Sequence, residues 1–241
     1  MPEAALVTGA ASGIGRAVAE RLVADGWDVL AVDIAPDADG PGETFPADLS
    51  TRAANRAAVD AALERFGRLD ALVPNAGFQH VSPLESFDED QWDALVALLL
   101  TSPFLLARYA WPALRESGNG RIVVVASVHG LVASPFKAAK HGVLGLVKAL
   151  ALEGADAGIR ASAVCPGYVR TTLVEQQIAD QARAHGLPED RVVEDVLLAP
   201  QAIKRMLEPS EVADTVAYLL GPGGALFTGA PLVVDGGWTA R

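Results

Sequence analysis

Short apolar segments alternate along this chain with longer stretches in which apolar residues recur every three or four positions. The short segments are mostly β-branched, as expected for strands buried on both faces of a sheet. They predict strands at residues 4–8, 28–32, 71–73, 122–126, 161–164 and 232–234. The longer stretches predict amphipathic helices at residues 14–24, 52–66, 89–114, 138–152 and 210–220. Ser210 is the predicted N-cap of the last helix.

This alternation of strands and helices predicts a parallel sheet with helices on both faces, a Rossmann-type doubly wound α/β fold. Residues 174–207 are less regular and carry charged and amide side chains with two prolines. We interpret them as a helical lid near a substrate site. Because no Gly/Ser-rich linker divides the chain, residues 1–241 are expected to form a single domain.

Composition and charge exclude several classes of function. A net charge of −11 without a basic stripe argues against nucleic-acid and anionic-membrane partners. The longest apolar run, residues 95–107, is interrupted by Thr101, Ser102 and Pro103, so no membrane span is expected. The start of the chain lacks the basic region of a signal peptide, and the single cysteine, Cys165, cannot form an intrachain disulfide. We therefore expect a cytoplasmic protein.

The segment L-V-T-G-A-A-S-G-I-G, residues 6–15, indicates a dinucleotide site. Glycines let the backbone approach a pyrophosphate, and amides at a helix N-terminus face its charge, although such a turn also occurs without a ligand. Asp33 ends the second predicted strand. Its carboxylate would bind both ribose hydroxyls and repel a 2′-phosphate, which favours NAD over NADP. The predicted contacts to the cofactor here are Gly9, Ser12, Gly13, Ile14, Gly15 and Asp33.

Residues 127–142 read S-V-H-G-L-V-A-S-P-F-K-A-A-K-H-G. This segment resembles the active site of the short-chain dehydrogenases/reductases, in particular the D-3-hydroxybutyrate dehydrogenases. The likeness covers essentially the whole chain and implies an NAD-linked dehydrogenase. It implies further contacts with NAD from a pair of residues beside the adenine, from an N-A-G segment, from a lysine at the ribose and from a loop that holds the nicotinamide. In that order these residues are Asp48, Leu49, Asn75, Ala76, Gly77, Lys140, Pro166, Gly167, Val169 and Thr171.

The resemblance also assigns catalytic residues. Ser127 would hold the carbonyl oxygen, and Lys140 would bind the ribose and act on a neighbouring tyrosine. In the family that tyrosine stands four residues before the lysine, where this chain has Phe136, because the segment is shorter by about one helical turn. Leu99 likewise stands where the family has an asparagine. Two side chains of the predicted pocket, Tyr168 and His129, are candidates for the missing proton donor.

A carboxylate clamp is the last feature that the resemblance implies. The family holds a short acid with two glutamines, a histidine and a lysine, and an aromatic residue closes the pocket. The matching substrate residues here are Gln79, Ser127, His129, Lys137, Tyr168, Gln177 and Trp238. Each taken alone is also a plausible surface or loop residue. No paired histidine spacing suggests a metal site, and none is expected.

Three hypotheses follow for the function. The first is an NAD-dependent oxidoreductase that moves hydride between C3 of a short 3-hydroxy acid and the nicotinamide. The second is a non-catalytic NAD- or acid-binding relative that has lost the tyrosine acid/base. The third is a short-chain reductase for a different substrate, such as a sugar or an acyl carrier. The resemblance also implies a homotetramer in which helices 89–114 and 138–152 pack across one contact.

Overall fold

The computed structural model describes residues 1–80, 82–132, 138–186 and 188–240, without the side chains of residues 177, 180, 181, 184 and 185. Its strands form one parallel sheet in the order β3-β2-β1-β4-β5-β6-β7. They are β1 Ala4–Thr8, β2 Asp28–Asp33, β3 Glu43–Pro46, β4 Ala71–Val73, β5 Arg121–Val125, β6 Arg160–Pro166 and β7 Pro231–Val234. The predicted Rossmann-type fold is thereby confirmed.

Helices cover both faces of the sheet. They are α1 Gly13–Ala24, α2 Arg52–Phe66, α3 Glu89–Val96, α4 Ser102–Glu116, α5 Ala138–Gly154, α6 Thr172–His185, α7 Glu189–Val192 and α8 Pro209–Leu220. Successive strand residues point to opposite faces. Leu6 therefore joins one core cluster with residues of α2, α4 and α5, whereas Ala5 and Val7 join a second cluster with residues of α1 and α8. This burial on both faces explains why the central strands read as continuous apolar runs.

The sequence did not predict β3. This strand lies at the edge of the sheet, pairs with β2 alone, and has only exposed or half-buried residues. Its sequence E-T-F-P carries neither an apolar run nor an alternating pattern, and its terminal Pro46 is tolerated because an edge strand needs fewer backbone donors. An edge strand of this kind leaves little signal in the sequence.

The expectation that no segment could cross a membrane was too strong. α3 and α4 are joined by a π-helical turn, Ala97–Thr101, so the helix continues from Glu89 to Glu116 through the polar interruption. These 28 residues are long and apolar enough to span a bilayer by length and composition. A buried core helix meets the same criteria. Here Ser102 donates a 2.7 Å hydrogen bond to the buried Asn55 inside the fold.

The predicted N-cap of the last helix is corrected by the structure. Ser210 is not the N-cap of α8; Glu208 is, because Pro209 occupies the first helical position, where a missing N–H costs nothing. The Glu208 backbone N–H donates to the Glu211 carboxylate at 2.9 Å. Pro74 lies one residue beyond β4 and so disturbs no ladder, while its carbonyl oxygen accepts the Val125 N–H at 2.9 Å.

Candidate functional site

A cavity of about 680 Å³ opens at the carboxyl ends of the central strands. This edge is where open parallel sheets bind ligands. The residues predicted at the nucleotide end and those predicted at the chemical end line this same cavity. From the predicted sets these are Gly9, Ser12, Gly13, Ile14, Asp33, Asp48, Leu49, Asn75, Ala76, Gly77, Gln79, Ser127, His129, Lys140, Pro166, Gly167, Tyr168, Val169 and Thr171.

The glycine turn is packed too tightly for any side chain. Gly9 has φ +67°, and a Cβ built on Gly15 would lie 2.1 Å from the Gly9 carbonyl oxygen and 2.6 Å from Asn75 Nδ2. The Asn75 side chain donates to the Thr8 carbonyl at 2.9 Å, and the Thr8 hydroxyl accepts the Asn75 and Ala76 amides. Gly15 does not border the cavity; its role is to bring the start of α1 against the turn.

Gly15→Ala is expected to destabilise the protein by about 1–3 kcal/mol, because the added methyl group would overlap backbone atoms that cannot move freely. It should also weaken binding of the dinucleotide that the sequence predicts at this turn, since the turn would shift. Thermal unfolding and calorimetric NAD titration measure the two effects. Gly145→Ala is the matched control, because nothing lies within 4 Å of its added Cβ and helix α5 should gain about 0.5–1 kcal/mol. Equal changes in unfolding temperature and in nucleotide affinity for the two variants would contradict the proposed role of Gly15.

Asp33 connects the end of β2 to the glycine turn. Its carboxylate accepts the Ala11 N–H at 3.1 Å and the Ala35 N–H at 3.2 Å. Sequence reasoning missed a neighbour of this loop: Arg16, on the first turn of α1, forms an ion pair with Asp37 at 2.7 Å. Arg16 also pairs with Glu20 at 2.9 Å, so its charge is shared between two carboxylates. The sequence signal for this contact was the position of Arg16 directly after Gly15, at the start of the helix that follows the glycine turn.

Ser127 and Lys140 form the wall of the cavity at the end of β5. The Ser127 hydroxyl accepts the His129 backbone N–H at 3.2 Å, and Lys140 Nζ donates to the Val125 carbonyl at 3.1 Å. Cys165 lies buried behind them on β6. Burial raises the pKa of the Cys165 thiol to about 11, against smaller opposing effects of Ser127 and Lys140. The thiol therefore remains protonated near neutral pH and is a poor nucleophile.

Three aromatic rings form a cluster around His129, two residues after Ser127. The His129 ring lies edge-on to Trp238, with centroids 5.3 Å apart, and edge-on to Tyr168, with centroids 6.3 Å apart. Burial raises the pKa of the Tyr168 hydroxyl above its usual value. Trp238 does not itself border the cavity but backs His129, and its buried Nε1 finds no acceptor in the described part of the chain. Asp235 holds the turn before Trp238 by accepting the Gly237 amide at 2.8 Å.

The loop after β6, which the sequence predicts to contact the nicotinamide, is held by hydrogen bonds to neighbouring backbone. Gly167 donates its N–H to the Val234 carbonyl at 2.9 Å, and Val169 bridges to Leu207. The Thr171 hydroxyl caps α6 by accepting the Val174 N–H at 3.4 Å. The segment predicted as a lid is helical and has its own small core, formed by Ile178, Val192, Leu197, Leu198 and Met206. Its opening and closing stay a prediction.

Some predicted residues lie outside this description. Lys137 and Phe136 fall in the segment 133–137, outside the described residues, and the side chain of Gln177 is likewise outside them, although its backbone belongs to α6. Leu99 borders the cavity from the π-helical turn and lies against Gly77. Sequence reasoning missed the apolar wall that continues from Leu99 along the same helix, through Trp92, Leu95 and Leu98. Their helical periodicity was visible but equally typical of core packing.

Comparison with known proteins agrees with this geometry. A family model described as enoyl-(acyl carrier protein) reductase matches residues 9–239. The D-beta-hydroxybutyrate dehydrogenase of Rhizobium meliloti (strain 1021) is 41% identical, with 100% of both chains covered. The protein of the same name from Cupriavidus necator is 38% identical, with 98% of each covered. The ligand-free aldohexose dehydrogenase of Thermoplasma acidophilum superposes with a TM-score of 0.93 at 28% identity, covering 100% of this chain and 95% of that one. This chain therefore belongs to the short-chain dehydrogenase/reductase family of oxidoreductases.

Proposed function

We propose that this protein is an NAD-linked dehydrogenase that interconverts a short 3-hydroxy acid and the corresponding 3-keto acid. One observation carries the proposal: the glycine turn and Asp33 share a single cavity with Ser127, His129 and Lys140. A cavity with a nucleotide cradle at one end and hydroxyl, imidazole and ammonium groups at the other suits hydride transfer to or from a small polar molecule.

The cofactor end has the features that NAD requires. Because Gly9 and Gly15 carry no side chains and pack closely together, a pyrophosphate can approach the backbone of the turn. Asp33 would accept hydrogen bonds from the hydroxyls of the adenosine ribose. Asp48 and Leu49 would contact the adenine, Lys140 the second ribose, and Val169 with Thr171 the carboxamide. When bound, NAD supplies the hydride acceptor of the reaction.

The substrate end favours a short carboxylate. Gln79 and His129 line the cavity, where the amide and the imidazole would contact a short acid, and Trp238 packs behind His129. Lys137 and Gln177 would complete the clamp. The two relatives named D-beta-hydroxybutyrate dehydrogenase support a four-carbon hydroxy acid. Ser127 would hold the oxygen on C3 by a hydrogen bond, which orients that carbon toward the nicotinamide.

The second candidate is an NAD- and acid-binding relative with little turnover. It is favoured by Leu99, which presents an apolar side chain to the cavity where the family has an asparagine, and by Phe136 at the position of the family tyrosine. It would still bind NAD and an acid, because the residues of the cradle and the clamp are present in both cases. The two candidates therefore differ only in whether the substrate hydroxyl finds a proton acceptor.

The experiment that separates them has two measurements. Calorimetric titration should detect NAD binding, and absorbance at 340 nm should detect NADH formed from NAD and D-3-hydroxybutyrate. Binding with turnover supports the dehydrogenase, and binding without turnover supports the second candidate. An absence of NAD binding by the folded protein would overturn both. Aldohexoses and a β-ketoacyl thioester serve as alternative substrates, and faster turnover of either would overturn the proposed acid.

We further propose a cytoplasmic homotetramer built through α4 and α5. Phe104 on α4 is 43% exposed and Leu152 on α5 is 83% exposed, which is consistent with surfaces covered by another copy of the chain. The single buried cysteine is compatible with a reducing compartment.

Leu152→Asp is expected to lower the mass in sedimentation equilibrium from about four times the 25.0 kDa chain to that of a smaller species, because a charge would be buried at the contact. The fold itself should be little affected, since an exposed residue is changed. Leu84→Asp, at a residue that is 79% exposed and lies outside both helices, is the control and should remain a tetramer. A monomeric wild-type protein would contradict the assembly.

A further inference from the structure

The described wall of the cavity carries one phenol, Tyr168, and two imidazoles, His80 and His129, that could accept the proton leaving the substrate hydroxyl. His80 packs edge-on against Phe87, whereas His129 lies two residues after Ser127.

Of the three tyrosines in the chain, Tyr109 lies on α4 under the guanidinium of Arg56, and Tyr218 on α8 is 51% exposed. Neither lines the cavity, so Tyr168 is the one phenol among its described wall residues. Phe136 has no ionisable group. Proton transfer during turnover must therefore use a group other than the family tyrosine.

His129 is held next to the serine that would bind the reacting oxygen. It lies in the short 3₁₀ turn Val128–Gly130 that begins at the end of β5, and its backbone N–H donates to the Ser127 hydroxyl at 3.2 Å. Its ring contacts those of Tyr168 and Trp238 and is nearly perpendicular to both, with interplanar angles of 81° and 82°. These contacts restrict the orientation of the imidazole while the residue remains part of the cavity wall.

Imidazole has the chemistry that proton transfer near neutral pH requires. Its ordinary pKa of about 6.5 lets both protonation states exist under physiological conditions. A general base works best when its pKa lies close to the working pH. Tyr168 departs from that condition, because burial raises the pKa of its hydroxyl and leaves almost no phenolate to accept a proton.

We propose that His129 is the catalytic acid/base of this protein, in place of the tyrosine that the family uses. The proposal deepens the function proposed above and rests on it. In the oxidation direction the substrate O–H bond breaks and its proton forms an N–H bond on the neutral imidazole. The C3–O bond becomes a carbonyl, and the electron pair of the C3–H bond leaves as hydride to oxidised NAD. The imidazolium then returns its proton to solvent.

The pH dependence of turnover follows from the protonation state of His129 that each direction requires. Lys140 from α5 borders the same wall, and Cys165 on β6 stays a neutral thiol; Asp33 and Asp48 border the cavity at its nucleotide end. Because oxidation requires neutral His129, its rate should rise with pH through the imidazole pKa and then level off. Reduction requires the imidazolium, so its rate should fall over the same range.

The test compares His129→Gln with Tyr168→Phe in the full-length protein between pH 5.5 and 9. His129→Gln should lower kcat for D-3-hydroxybutyrate oxidation by about 10²–10⁴-fold and abolish the rise with pH. Tyr168→Phe alters the pocket and should raise KM, but it should keep the rise. Added imidazole should restore part of the turnover of His129→Ala, which a carboxylate-holding role alone does not predict. A higher KM for His129→Gln with an unchanged pH profile would overturn the proposal.

A second readout needs no turnover. The chain has four histidines, so the NMR signal lost in His129→Gln identifies His129 in the free protein. We expect this signal to titrate within the pH range of the rate measurements. A signal that does not titrate there would refute the proposed role. A wild-type protein that turns over with a pH profile unchanged by His129→Gln would refute this role and leave the proposed function intact. A wild-type protein that binds NAD without turnover would refute both the role of His129 and the dehydrogenase, and would favour the second candidate. A folded protein that binds no NAD would refute the proposed function itself.

Discussion

Insertion of Ala-Tyr-Val-Ala after Ala138 is expected to raise the kcat for D-3-hydroxybutyrate oxidation by about 10²-fold or more. The insertion restores a tyrosine four residues before Lys140, and a positioned general acid or base typically contributes about 10²–10⁴-fold. Four residues add slightly more than one turn, or about 6 Å of helix. Because α5 begins at Ala138, the new turn would extend the helix at its N-terminus and leave Lys140 in register. The tyrosine and the lysine would then share one helix face.

The matched control is insertion of Ala-Phe-Val-Ala at the same place. It reproduces the loop length and the aromatic ring but lacks the hydroxyl, so its kcat should stay near that of the unmodified protein. Steady-state rates at 340 nm, with NAD affinity measured by calorimetry, distinguish chemistry from binding. Equal gains in both insertions would show that loop length limits the reaction. No gain in a folded, NAD-binding tyrosine variant would refute the alignment of residues 127–142 with the family segment.

His129 should lose its catalytic role once the tyrosine is present. In the insertion variant, His129→Gln is expected to raise KM, through the lost acid contact, with a much smaller effect on kcat than in the unmodified chain. The two changes would therefore be non-additive in kcat, as expected for groups that perform the same step. Additive losses would indicate that the tyrosine and the imidazole act at different atoms.

The sequence predicted those parts of the fold that depend on burial. Central strands such as β1 and β4 were placed correctly because apolar runs bounded by helical periodicity have few other structural explanations. The edge strand β3 and the π-helical turn Ala97–Thr101 were not predicted. The first is stabilised by pairing with β2 and the second by packing between helices, and neither produces a periodic pattern.

In the candidate site, too, features set by local sequence were predicted and features set by tertiary contacts were not. The glycine turn and Asp33 were predicted because backbone constraint and chain position fix what those residues can be. The perpendicular packing of His129 and Trp238 was not predictable, since it brings together the end of β5 and the C-terminal turn. The ion pair of Arg16 with Asp37 likewise joins α1 to the loop after β2. Contacts of this kind depend on tertiary structure and leave no local signal.

The carboxylates at the end of β2 and in the loop after it bear on the choice between NAD and NADP. Wild-type protein should bind NAD at least about 10²-fold more tightly than NADP, because placing a 2′-phosphate against the Asp33 carboxylate costs several kcal/mol and each 1.4 kcal/mol is a factor of ten. Asp33→Ser should weaken NAD binding by about 10- to 100-fold, through the lost charged hydrogen bonds to the ribose. The same change should strengthen NADP binding. Calorimetric titration of both nucleotides measures this independently of any turnover.

Asp37→Ser is the control that separates a specific contact from general loop charge. It removes the same charge from the same loop and releases Arg16 from one of its two carboxylate partners, while Asp33 keeps its bonds to Ala11 and Ala35. Because Asp33 alone would meet the ribose, this variant should retain tight NAD binding and still reject NADP. If Asp37→Ser gained NADP affinity as strongly as Asp33→Ser, the discrimination would come from the summed charge around Arg16, and Asp33 would not be its determinant.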